Sequence, residues 1–273
     1  MKQKREKTII NVWKKDLQAE FVRIISLHKN YNYISIDTEF PGVISKPIGN
    51  FTQTITQIYQ QIRCNCNILK IIQLGMTLSN KDCELPTPST WQFNFKFDIE
   101  SDMYAEDSLS LLLNANLDFK EHKENGIDLD DFGELFFSSG LLMNPNICWI
   151  TFHGAFDFGY LLKLISSEML PETNDQFMHL ISIFFRNFYD LKYMISGTYY
   201  VKKGLQEIAD TLEISGIGPA HQAGSDSYLT MLTFFRLKAN EMMNKNENNY
   251  SNKLFSLCKP LKQDNFNEQQ LFN

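Results

Sequence analysis

The sequence predicts an α/β protein, a mixed β-sheet flanked by helices in a single domain. Three observations carry this expectation. Short apolar segments rich in β-branched residues crowd the first hundred positions, with turn residues between them. Beyond Ser101, helical spacing alternates with further short apolar segments, the pattern of a sheet covered by helices. No internal repeat interrupts the 273 residues, which are enough to bury a sizeable core.

Each element follows from local pattern. Leu17, Phe21, Ile24 and Leu27 fall at helical spacing, so Trp13 to His28 reads as an amphipathic lid helix. Tyr33 to Asp37 reads as a short buried strand, stopped by the turn signal Pro41-Gly42. A polar stretch follows, and Ile68 to Leu78 then predicts a long strand. Asn80 to Asp82, with Pro86 and Pro88, marks a loop. Trp91, Phe93, Phe95 and Phe97 alternate with Gln92, Asn94 and Lys96, the period of a half-buried strand. Three strands in succession suggest an antiparallel meander. Residues 101–143 read as helices with a polar break near Lys120 to Asp128. Ile147 to Phe152 is another strand, and a helix begins near Phe156. Another helix covers Asn174 to Phe185, a last strand ends at Tyr189-Asp190, and helices follow at 204–213 and 223–243. The predicted domain is 1–243. Residues 244–273, rich in Asn and Gln, read as a weakly structured tail.

Composition narrows the function. A formal charge of −6 argues against a protein that coats nucleic acid through a broad basic surface. It leaves room for an enzyme that grips a few nucleotides at a strand end, with bound cations offsetting the local charge. The five cysteines form no CxxC pair, and Cys64-x-Cys66 is too tight for a zinc site. A reducing compartment, cytoplasm or nucleus, fits that usage. The basic start Met1 to Lys7 lacks a following apolar stretch of signal-peptide kind, and no run reaches membrane-helix length.

Three places could carry chemistry. Asp37-Thr38-Glu39 ends a buried strand, and residues two apart point to the same side of an extended chain, so both carboxylates can face one cation. Asp82–Glu84 and Asp98–Glu100 repeat the spacing, but a solvated loop is the plain reading for both; Asp37–Glu39 ends a buried apolar strand and Pro41-Gly42 turns the chain immediately afterwards. Phe156-Asp157 follows an apolar strand and Gly154; alone, that Asp is an ordinary helix N-terminal acid. His221 lies five residues before Asp226 across a helix start, where a capping Asp and a surface His are the plain alternative. Taken together, four carboxylates and a His in this order match two-metal phosphodiester hydrolysis. Hard Mg²⁺-like ions want several oxygen ligands, and an imidazole can take a proton at neutral pH.

At these residues the sequence resembles the DEDD exonuclease superfamily in its histidine-containing branch. The likeness narrows further over Tyr33 to Val43, Lys70 to Gly75, Thr90 to Phe97, Gly204 to Gln206, Gly218-Pro219 and His221 to Ser227. These strings resemble the CAF/POP deadenylases, nuclease subunits of the CCR–NOT complex, over roughly residues 11–240. The resemblance implies an RNase H-like domain that removes poly(A) from the 3′ ends of mRNA and releases 5′-AMP. It implies that Asp37, Glu39, Asp157 and Asp226 hold two divalent metal ions, Mg²⁺ or Mn²⁺, and that His221 activates water. It also puts Phe40 and Leu205 where the family touches terminal nucleotides, with Lys203 near a phosphate; core packing or a solvated surface is the alternative for these three. The implied partners are the poly(A) 3′ end and the scaffold and second nuclease subunits of the complex.

There are departures. His153-Gly154-Ala155-Phe156-Asp157 has Gly after the His and Phe before the Asp, where the family more often has Ser and Tyr. Lys46-Pro47 replaces the commoner Arg-Pro. None removes a carboxylate. Two other readings compete: a catalytically silent interaction module, and an exonuclease with another substrate, such as a nuclear RNA trimmer. The run Leu135 to Met143 is unusually apolar and is either core or part of a scaffold-binding surface.

Overall fold

In the computed structural model, residues 9–46, 53–239 and 249–259 are described. Six strands form one mixed sheet: β1 (Ile9–Val12), β2 (Tyr33–Glu39), β3 (Gln73–Ser79), β4 (Thr90–Asn94), β5 (Cys148–Thr151) and β6 (Phe188–Asp190). Their spatial order is β1-β4-β3-β2-β5-β6. Strand β3 runs antiparallel to β2 and β4, and the other pairs are parallel. The expected meander is therefore β2-β3-β4, and the sheet is the RNase H-like arrangement with an added parallel edge strand, β1. No sequence pattern anticipated β1.

Helices cover both faces. Ile34, Ile36, Leu74, Met76, Trp91 and Phe93 point to one side and form the main core with α1 (Leu17–Leu27), α2 (Ile55–Ile68), α5 (Leu129–Ser138), α6 (Ala155–Ser166) and α7 (Asn174–Phe184). Tilted and edge-on rings, among them Phe21, Phe93, Phe132 and Phe136, fill it. The opposite face carries α8 (Leu191–Met194), α9 (Leu205–Thr211) and α10 (Ala223–Ala239). Two short helices, α3 (Glu106–Asn114) and α4 (Phe119–Asn125), pack with Ile72 and Phe97.

Several expectations change. The polar stretch after Pro41 holds α2, started by a capping box between Thr54 and Gln57. Ile68 ends that helix and is 48% exposed, so the predicted long strand begins only at Gln73. The polar break near 120–128 is mostly α4, capped by Asp118. The alternation along β4 is real, but Gln92 and Asn94 are as buried as the aromatics beside them. Both lie on the α10 side, where Gln92 accepts from Gly224 at the start of that helix and Asn94 bonds Gln73 and β1, so the strand is covered on both sides.

The predicted weak tail does not hold over residues 249–259. Leu254 and Leu257 are buried in the main core, and Asn252 pairs with Phe188 at the free edge of β6. Apolar burial and a sheet edge needing partners order this segment. Residues 240–248 and 260–273, with the end of the predicted last helix and the rest of the tail, lie outside the described residues, as do Met1 to Thr8 and Pro47.

Helix α10 sits unusually close to the sheet. A Cβ on Gly75 would stand 1.8 Å from the carbonyl oxygen of Ala223. Asp37 pairs with Gly75 across the β2–β3 ladder, so this contact also fixes the distance between Asp37 and the start of α10. Gly75→Ala is expected to destabilise the protein by about 1–3 kcal/mol or more, because backbone rather than a movable side chain must give way. A urea melt measures it; an unchanged midpoint would remove Gly75 from this role.

Candidate active site

Strand β2 presents Ser35, Asp37 and Glu39 to the α10 side, and Ser35 Oγ donates to the carbonyl of Ser227 in that helix. Thr38, between the two acids, points to the α6 side. The start of α10 is pinned from below by side-chain amides. Gly224 N–H donates to Gln92 Oε1 at 2.9 Å and Ala223 N–H to Gln73 Oε1 at 3.4 Å. A side-chain acceptor at a helix N-terminus typically contributes about 1 kcal/mol. Asp226 thereby stands against Asp37 and Glu39, and one candidate ligand oxygen from each of the three lies within 4.8 Å of the others.

Asp157 arrives from the opposite layer, near the start of α6. The chain enters that helix through His153, which has a left-handed backbone with φ 63°. The His153 N–H donates to Asp190 Oδ1 at 2.8 Å, and the same oxygen takes the Lys192 N–H. Asp190 Oδ2 accepts from the Phe255 N–H in the ordered 249–259 segment. Asp190 is fully buried, and its three backbone bonds brace the turn that delivers Asp157. The Thr38 hydroxyl holds Asp157 Oδ1 at 2.5 Å. With that oxygen engaged, Asp157 stands beside the Asp37–Glu39–Asp226 trio rather than within it.

The four acids feel each other. Burial, then the charges of Asp157, Asp226 and Glu39, raise Asp37 well above the ordinary carboxylate range. Burial and the charges of Asp226 and Asp157 push Glu39 up to about 8. Asp157 rises to about 7 through burial, tempered by the Thr38 hydroxyl, and Asp226 to about 6, tempered by His221. Converging hard oxygens that resist ionising together are the donor set of a divalent cation, so these residues fit such ions.

His221 lies exposed at the lip with a left-handed backbone, φ 61°, and its backbone N–H bonds the Asp226 carboxylate. Phe40 follows Glu39 and stacks on Phe156 with centroids 5.0 Å apart, backed by Tyr160. Leu205 opens α9, half-buried. Lys203 donates to Thr211 and lies over the rings of Tyr199 and Tyr200 rather than among the carboxylates. Sequence reasoning missed Thr38, Gln92 and Asp190 as supports. The Asp190 signal was present, as an acid at the end of a predicted strand.

The CAF1 family ribonuclease model matches residues 12–130. The poly(A) ribonuclease pop2 of Schizosaccharomyces pombe is 43% identical over 250 residues, which cover 91% of this chain and 75% of that protein. This chain belongs to the CAF1 ribonuclease family. The S. pombe Pop2p structure in its Mg²⁺- and Mn²⁺-bound form matches with a TM-score of 0.87 over 91% of this chain and 99% of the other. CAF1 co-crystallised with the yeast NOT1 MIF4G domain matches at 30% identity and a TM-score of 0.78, covering 93% and 99% of the two chains. Escherichia coli exonuclease I shares the fold alone, with 12% identity and a TM-score of 0.52 over 77% of this chain and 41% of that one.

The raised carboxyls set a pH dependence. The folded chain holds these protons more tightly than an unfolded chain with carboxyls near 4. Their contribution to stability is therefore fully present below about pH 4 and is lost as pH rises through 6 to 8. A divalent cation should then raise the melting temperature more at pH 8 than at pH 5.5. Glu39→Gln should raise the metal-free melting temperature at pH 8 and shrink the metal increment. His122 and His153, whose buried rings shift the other way, cancel in both comparisons. Thermal melts with EDTA or Mn²⁺ provide the check; an equal increment at both pH values would contradict the coupling.

Proposed function

We propose that this chain is a metal-dependent 3′→5′ exoribonuclease that shortens poly(A) tails of mRNA and releases 5′-AMP. One observation carries the reading: Asp37, Glu39 and Asp226 converge beside Asp157 and His221 in a chain 43% identical to a poly(A) ribonuclease. Asp37, Glu39, Asp157 and Asp226 would hold two divalent ions, Mg²⁺ or Mn²⁺, the ions bound in the S. pombe Pop2p structure. When bound, such ions supply the charge that acidifies a water and stabilises the leaving 3′ oxygen.

The chain's own groups do the rest. His221, exposed beside Asp226, accepts the proton of the attacking water. Thr38 orients Asp157, and Gln92 and Gln73 fix the helix end that carries Asp226. Phe40, supported by Phe156 and Tyr160, offers a ring to the terminal base, and Leu205 and Lys203 complete the substrate contacts. Phe156 keeps the stacking ring and lacks a phenol hydroxyl, which changes rate rather than chemistry. The five cysteines, none in a CxxC pair, fit a reducing compartment, so cytoplasm or nucleus is the proposed location. A silent module would not need the carboxylates to converge.

A 5′-labelled RNA ending in twenty adenosines tests this, beside a poly(U)-tailed RNA. Wild type with Mg²⁺ or Mn²⁺ should shorten the A-tail stepwise from its 3′ end, EDTA should block it, and Asp37→Ala should be inert. His221→Ala should lower kcat by about 100-fold or more. A folded, metal-loaded chain that leaves both tails intact would favour the silent module.

The partners proposed are the scaffold and second nuclease subunits of a CCR–NOT complex, since the yeast structure joins CAF1 to a NOT1 domain. The apolar run 135–143 divides. Leu141 and Leu142 are buried, whereas Phe137 and Met143 are 47% and 42% exposed. Phe137 packs on Phe184, and the Met143 N–H bonds the Phe184 carbonyl, so the exposed pair belongs to one ordered patch. Phe137→Asp and Met143→Asp are expected to lower scaffold recovery in a pull-down about ten-fold or more without changing the melt. Undiminished recovery would move the interface elsewhere.

A further inference from the structure

On the α10 side of the sheet, the strand ends continue past the carboxylates to a second group of chemically distinctive residues. Strands β2, β5 and β6 are parallel neighbours, so their carboxyl ends open on the same edge. Ser35 pairs with Ile150, and Thr151 with Asp190, so Phe152 leaves the sheet beside Asp37 and Lys192 follows one strand further on. Strands lie about 4.8 Å apart, which puts the end of β6 about 10 Å from the acids. Phe152 packs against the same core cluster as α10, and so lies on the face that Asp37 and Glu39 share.

Two lysines and three aromatic rings interlock there, with a third lysine beside them. Lys192 Nζ sits 5.3 Å from the Phe152 ring centroid and donates to the Lys203 carbonyl at 2.6 Å. Lys203 Nζ sits 4.8 Å from the Tyr199 ring and 5.4 Å from that of Tyr200. Lys202 is exposed on the same turn, and Tyr199 is 63% exposed although large and apolar. Among the described residues, none of these three lysines forms a salt bridge with a carboxylate. A chain of charge −6 thus concentrates cations and an open aromatic face beside its acidic centre.

We propose that Phe152, Lys192, Tyr199 and Lys202, continuing outward from the substrate contact at Lys203, form a track for the RNA nucleotides upstream of the scissile bond. Tyr199 stacks a base, and the lysines meet phosphates. Aromatic faces bind bases of a single strand, and interleaved cations follow its backbone. The track rests on the exonuclease reading for its direction, since the carboxylates receive the 3′ end and the strip receives what precedes it.

Equilibrium binding and kinetics test it separately. Anisotropy of labelled A20 RNA in EDTA should show Tyr199→Ala weakening binding about five-fold or more, with Tyr199→Phe close to wild type. Lys202→Ala should reduce the salt slope of log affinity by about 0.7. In turnover, Tyr199→Ala should raise KM for A20 while kcat and the cleavage of the dinucleotide ApA stay unchanged, because ApA is too short to reach the ring. Equal losses on A20 and ApA, or A20 affinity independent of Tyr199, would overturn the track. A wild type that binds A20 through Tyr199 yet cleaves nothing would overturn the exonuclease reading and keep the track.

Discussion

Carboxylates held a few ångströms apart in a half-buried corner repel one another, and much of the fold can be understood as the means of keeping them there. Asp37 and Glu39 come from one strand, so their spacing costs nothing beyond an extended backbone. Asp226 needs a helix end pressed onto the sheet, which the missing side chain at Gly75 permits and the amides of Gln92 and Gln73 secure. Asp157 needs the opposite layer to reach the same edge, which the Thr38 hydroxyl and the braced turn at His153 arrange. Burial raises the pKa values of these acids, and the neighbouring carboxylates raise Asp37 and Glu39 further, so a cation between them offsets both costs.

This division explains a sheet that is apolar on one face and polar on the other, yet buried on both. Rings on the α6 side supply hydrophobic cohesion. Ser35, Gln73, Thr77, Thr90, Gln92 and Asn94 on the α10 side are bonded within the sheet or to α10. Satisfied buried polar groups specify one seating of the helix where interchangeable apolar contacts would allow several. The 249–259 segment extends the same logic to the far edge, where its Phe255 N–H completes the coordination of Asp190.

Most of the site was legible because local pattern exposes it: an apolar strand ending in Asp-x-Glu, an apolar strand before Asp157, and a His and an Asp across a helix start. The order of the three and the strings around them carried the rest. What was lost depended on distant contacts. Helix α2 was overlooked, although Thr54 and Gln57 signal its start and Ile55, Tyr59, Ile62 and Cys66 keep helical spacing. Strand β1 draws its order from pairing with β4, some eighty residues away. The polarity of Gln92 and Asn94 suggested solvent, because sequence period cannot tell a wet face from one covered by a helix end. Leu254 and Leu257 lie in a polar stretch, and only the core they enter explains their order.

The account stands on the carboxylates acting together as a cation site. Its most direct measurement is the count of Mn²⁺ ions bound to the metal-free chain at pH 7.5, followed by electron paramagnetic resonance in wild type, Asp226→Asn and Asp157→Asn. The account predicts two ions close enough to couple magnetically in wild type, with the coupling lost in both variants. No bound ion at millimolar Mn²⁺, or binding indifferent to both substitutions, would contradict it.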